Sequence, residues 1–161
     1  MTAVWIVLFL IVAGVVWKAV KDAGARHTTV AAASASRTPG FHWPGLGEYD
    51  FEVVGESHYQ RVLQRLAGEH GDESAAKDCV AELYPDDGNV HDKRAVEVRV
   101  SGERVGFMSR EDARSFRRRL SAKKLTGQST SCDAKVVGGW TDSNGVKKQY
   151  GLRLDIKTFD T

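Results

Sequence analysis

The sequence predicts a mainly β domain, a small β-barrel capped by two short helices, preceded by one N-terminal transmembrane helix and a flexible linker. Three observations carry this prediction. Short alternating runs such as "AVEVRV" (95–100), bounded by Gly, Pro, Asn and Asp, recur from residue 49 onward. Two stretches, 58–67 and 110–120, carry apolar residues at helical spacing. No charged side chain occurs from Met1 to Trp17.

That first apolar run spans roughly 25 Å as a helix, against a hydrocarbon core of ~30 Å. Ala19 and Val20 extend it if Lys18 snorkels, and Trp5 and Trp17 bracket it as interfacial aromatics do. Residues 1–21 are therefore read as a membrane span. A cleaved signal peptide would need a basic segment before the apolar run, and none precedes Lys18. Lys18, Lys21 and Arg26 follow the span, which predicts a single-pass inner-membrane protein with its C-terminal domain in the cytoplasm. Residues 22–46, with "VAAASASRTPG" at their centre, offer little that could pack and are expected to be a tether. The globular domain is assigned to 47–161.

Within it, "YDFEVVGE" (49–56) alternates and reads as a strand. Tyr59, Val62, Leu63 and Leu66 mark a short amphipathic helix over 58–67. The polar "EHGDESAAK" is expected to be a loop, followed by the strand "CVAELYP" ending at Pro85. "AVEVRV" and "ERVGFM" flank Ser101–Gly102 in a tight hairpin. Ser109 and Asp112 open a helix that buries Ala113, Phe116 and Leu120 and exposes Arg114, Arg117, Arg118 and Arg119. "CDAKVVGGW" and "QYGLRLDI" flank "TDSNGVKK" in a second hairpin.

The near-neutral total charge conceals a division. Glu48 to Asp87 holds eleven acids against three bases; Glu103 to Lys124 holds eight bases against three acids. A molecule so polarised can attract an anion to one face. Cys79 and Cys132, the only two cysteines, lack zinc spacing and are read as buried small hydrophobes in neighbouring strands, not a disulfide. There is no Gly-rich phosphate loop, GxSxG or HExxH, so the chain is read as a non-enzyme, with no cofactor and no metal.

Nucleic-acid features are present as single residues. Tyr59, Tyr84, Phe107, His58 and His91 lie at element ends where rings could stack on bases, and "RSFRRRLSAKK" could contact phosphates. "FEVVGESHYQRVLQRL" followed by "NVHDKRAVEVRVSGERVGFMSRED" resembles the HIRAN domain, which occurs on fork-remodelling helicases and as small bacterial proteins. The resemblance covers about 50–156; its most specific segment is Asn89–Val96, with Val105–Gly106 and an aromatic after it. It implies a modified oligonucleotide-binding (OB-like) barrel that grips the 3′ end of single-stranded DNA. By resemblance, Asp92 accepts a hydrogen bond from the terminal 3′ hydroxyl, His91 stacks on the end base, Phe107 packs beside it and Arg110 reaches phosphate. His58 and Tyr59 line the groove, and Lys93 and Arg94 would relieve the repulsion between Asp92 and the backbone. Ser57 stands where the family's DNA binders carry arginine, and His91 where they carry tyrosine. Asp92 has a second reading, as a carboxylate that caps its own turn. Two functions follow as expectations: a membrane-tethered module binding single-stranded nucleic acid, or a membrane-anchored protein-interaction scaffold on the same barrel.

Overall fold

The computed structural model describes residues 39–157. Seven strands form one sheet: β1 (His42–Trp43), β2 (Phe51–Glu52), β3 (Ala75–Pro85), β4 (Val96–Val100), β5 (Glu103–Phe107), β6 (Thr130–Gly138) and β7 (Tyr150–Leu154). A 3₁₀ turn, Glu56–Tyr59, leads into helix α1 (Gln60–Ala67), and helix α2 (Arg110–Ala122) follows β5. The strand order is β2-β7-β6-β3-β4-β5, with β1 parallel to the start of β6 and every other pairing antiparallel.

The expected closed barrel is corrected to a curled half-barrel. Its two edges meet at one bridge, Val54 with Phe107, held by paired N–H···O bonds of 2.8 and 2.9 Å. The chain turns at Gly55 into the 3₁₀ segment, so β2 is two residues long and has no length left to zip along β5. The membrane expectation is corrected as well. Among the described residues no helix is long and apolar enough to cross a bilayer; the longer, α2, has thirteen residues and carries five arginines. The span assigned to 1–21, and with it the single-pass inner-membrane topology, lies outside the described residues.

Alternation builds the core as the pattern requires. Cys132, Ala134 and Val136 of β6 and Tyr150, Leu152 and Leu154 of β7 point inward. They join Val96, Val98 and Val100 of β4, Leu63 of α1 and Phe116 and Leu120 of α2 in one apolar cluster. Ser101 and Gly102 both adopt positive φ between β4 and β5, the geometry that matches strand twist in a two-residue hairpin. Ser109 caps α2 by accepting from the Asp112 N–H at 3.1 Å. Cys79 and Cys132 lie on adjacent strands as free thiols.

The described residues begin inside the stretch read as tether. Trp43 is buried, donates its indole N–H to Thr130 Oγ1 at 2.9 Å and packs edge-on against Phe41. The loop after it is gathered around Asp155, a carboxylate with 4% exposure. Its oxygens accept from the N–H groups of Leu46 (2.8 Å) and Gly47 (2.9 and 3.0 Å). Burial pushes its pKa upward, but the backbone donors of Leu46, Gly47, Glu48 and Tyr49 outweigh this and hold it below the ordinary 3.8. A depressed folded value gives stability that is complete above the unfolded pKa and is lost as pH falls through the folded one. Asp155→Ala should therefore lower the melting temperature at pH 7. The gap from wild type should then shrink as thermal scans are taken below about pH 4; a gap independent of pH would refute the anchor.

Candidate functional site

The loop between β3 and β4 is organised by two of its own side chains. Asn89 Oδ1 accepts from the N–H groups of His91 (3.0 Å) and Asp92 (3.1 Å), and its Nδ2 donates to Asp86 at 3.1 Å. Asp92 Oδ1 accepts from the Arg94 N–H at 2.8 Å, and its other oxygen lies 3.9 Å from Arg110 Nε. These bonds make Asp92 a turn-capping carboxylate. His91 and Lys93 are exposed beside it.

His58, Tyr59 and Phe107 gather at the bridge between the sheet edges. Gly106 lets the edges close: a Cβ there would stand 2.4 Å from Val53 Cγ1 and 2.8 Å from Val54 O. The Arg104 guanidinium lies 5.3 Å from the Phe107 ring centre and interacts electrostatically with Tyr59, whose ring meets His58 edge-on. The seven expected residues thus form two groups, one on the β3–β4 loop with Arg110 and one around Arg104.

Sequence reasoning passed over the group that unites the second set. Glu97 sits opposite Tyr84 and Phe107 in the strand register, and its side chain is 3% exposed. Arg99 binds one of its oxygens and Arg104 the other at 2.5 Å, while Arg99 also stacks over Tyr84. Burial would raise the pKa of Glu97, but the two guanidinium groups keep it below the usual carboxylate range. Alternation places Glu97 on the outward face; the hairpin register, which aligns Arg99 with Arg104, was the signal that could have shown it covered.

The expectation of a single-stranded DNA 3′-end site is corrected by this geometry. Asp92 Oδ1 serves its own turn through the Arg94 N–H, Arg110 stands 3.9 Å from Oδ2, and the seven expected residues fall into two groups. Among the described residues no nucleic-acid cleft is evident around these side chains, and three clefts that do form there have other walls. The nucleic-acid partner loses its basis with it; the membrane partner, and the scaffold defined by the same anchor, were read from residues 1–21, outside the described residues.

Two of those clefts are of opposite character. One, of about 360 Å³, is lined by Arg94, Arg114, Arg117, Arg118 and Ser121. Arg117 is its fixed wall: Nε donates to Arg94 O (2.8 Å), Nη2 to Ala95 O (2.8 Å) and Nη1 to Asp87 (2.6 Å). Arg118 reaches Ser115, whereas Arg94 and Arg114 have no carboxylate partner among the described residues. The other cleft, of about 450 Å³, lies between β2, the 3₁₀ turn and the paired ends of β6 and β7, with Glu52, Glu56 and Trp140 among its walls. Burial pushes the Glu56 carboxyl above its ordinary pKa, against the opposing pull of the Leu152 N–H. Among the described residues no group of three or more His, Cys, Asp or Glu side chains could hold a metal ion. Burial raises both thiols, Cys79 to about 11 and Cys132 further, so neither is an activated nucleophile. No family model, curated protein or solved structure matches this chain.

Proposed function

We propose that this is a HIRAN-like ligand-binding domain, and that its ligand is a polyvalent oxyanion of the pyrophosphate class, held in the arginine cleft of α2. The resemblance is supported by the structural duties of the residues that carry it. Asn89 and Asp92 cap the loop, Val96 enters the core, and Gly106 admits the neighbouring chain. The observation that carries the ligand assignment is the locking of Arg117. Its three bonds hold one guanidinium in place before any ligand arrives, while Arg94, Arg114 and Arg118 surround it with a single carboxylate, Asp87, in contact. Four arginines lining one cleft make it strongly positive, and a fork geometry suited to bidentate bonds makes an oxyanion its natural ligand.

The test is titration of the full chain with inorganic pyrophosphate, with sulfate as a control for charge alone. Pyrophosphate should raise the melting temperature more than sulfate, and the double substitution Arg114→Ala, Arg118→Ala should weaken it by about tenfold or more, ~1.4 kcal/mol. Binding should also weaken as salt rises. Equal effects of the two anions, or an unchanged affinity in the double variant, would reject the assignment.

A further inference from the structure

The acidic side of the domain carries its own cleft, built from residues that the arginine site does not use. We infer that the cleft between Glu56, Trp140 and Gly151 receives an alkylammonium group, the charged end of a small amine or of a lysine side chain. Glu56 is the anchor. Its Oε1 is fixed by the Leu152 N–H at 2.5 Å, and the turn carrying it is held by Gln60, whose Nε2 donates to Glu56 O (3.0 Å) and Tyr150 O (2.9 Å). The carboxylate is therefore positioned by one oxygen, and Oε2 receives no donor from the described residues.

The surroundings select the class of ligand. Glu52, also on the wall, is matched by Arg153, which lines the cleft too and acts on Glu56 only at longer range, so Glu56 has no ion pair of its own among the described residues. Trp140 borders the same space with 38% of its surface exposed, one of the few large apolar side chains left open to solvent. Val53 and Val137 supply apolar wall, and Gly151 leaves the floor clear below the carboxylate. A lone carboxylate oxygen, an open indole and apolar walls are what an ammonium on an alkyl stem uses: one ion pair, one cation–π contact and hydrocarbon packing. An anion would meet Glu56 head-on, and a neutral alkyl group would leave that charge unmatched.

The experiment follows the side-chain and backbone N–H resonances of the full chain by NMR during titration with n-butylammonium chloride. 1-Butanol serves as the uncharged counterpart, and N-acetyl-lysine-methylamide as the peptide source of the same group. Butylammonium should bind with millimolar affinity, as expected of so small a probe, and shift the Trp140 indole N–H; butanol should not. Tighter binding of the lysine derivative would identify a protein side chain as the source, and weaker binding a free amine. Glu56→Gln keeps an acceptor for the Leu152 N–H and should weaken butylammonium about tenfold or more. Gly151→Ala has room for its methyl, with contacts no closer than 3.5 Å, and should block the floor while leaving the spectrum folded. Equal shifts with butanol, or full binding in both folded variants, would overturn the inference. Because Arg114→Ala, Arg118→Ala should leave this site untouched, its failure and that of the oxyanion site are separately visible.

Discussion

Glu97→Ala is expected to cost about 3 kcal/mol, read as a lowered midpoint in urea-induced unfolding. The carboxylate is 3% exposed and holds Arg99 with one oxygen and Arg104 with the other. Removing it leaves two guanidinium groups facing each other across a hydrogen-bonded hairpin, aligned by the strand register. Arg99, with 23% of its side chain exposed, has little water to turn to; Arg104, at 43%, has more, which keeps the estimate at the lower end for a broken buried pair. Glu97→Gln should cost less, because an amide oxygen still accepts one of the two bonds. Replacing all three residues by apolar ones of similar volume should restore most of the loss, since the desolvation of three charges disappears with their attraction. A midpoint unmoved by Glu97→Ala would mean that the network is solvated and that Tyr59 and Phe107 are positioned by something else.

This network marks the limit of what alternation can reveal. Period-two patterning correctly separates Val96, Val98 and Val100 from Glu97 and Arg99, but it assigns only a face of the sheet, not the cover over that face. Glu97 is buried by arginine stems and aromatic rings from β3 and β5, a tertiary fact that no local run contains. The same reasoning explains β1. A two-residue strand has no period to detect, so Trp43 read as part of a tether although it fills the core beside Phe116. The start of β3 was hidden in the polar run "DESAAK", whose last two residues, Ala76 and Lys77, are both exposed and so show no alternation. The two hairpins, the helix opened by Ser109 and the cysteines on neighbouring strands were legible because each has a local chemical cause. Charge was legible in outline: the acidic and basic segments became the walls of two separate clefts. Which of those charges stay unmatched depends on pairings such as Glu52 with Arg153 and Asp87 with Arg117, and those are set by the fold. The loop 89–96 shows the converse. Its pattern was the most specific in the chain, yet what it specifies in the structure is a turn.

Gly138→Ala should destabilise the domain by roughly 3 kcal/mol, because strain and collision act at one atom. Gly138 ends β6 with φ +87°, and a Cβ there would stand 2.2 Å from Gln149 O and 3.1 Å from Tyr150 Cα. Both neighbours are backbone, so no rotamer change can relieve the contact. Its N–H is held by Ser74 Oγ at 2.9 Å, and its register partner is Tyr150, so the strand end cannot drift without breaking bonds on both sides. Gly145→Ala provides the comparison. Its φ of +78° imposes similar backbone strain, but nothing lies within 4 Å of the new methyl, so about 1 kcal/mol is expected. The difference between the two thermal unfolding shifts therefore isolates the steric part. Gly138 and Trp140 line the same cleft, so a folded Gly138→Ala protein should also lose butylammonium affinity. Equal destabilisation by both alanines would mean that the end of β6 yields at little cost, and a cleft with so soft a rim could not hold Trp140 in place for a ligand.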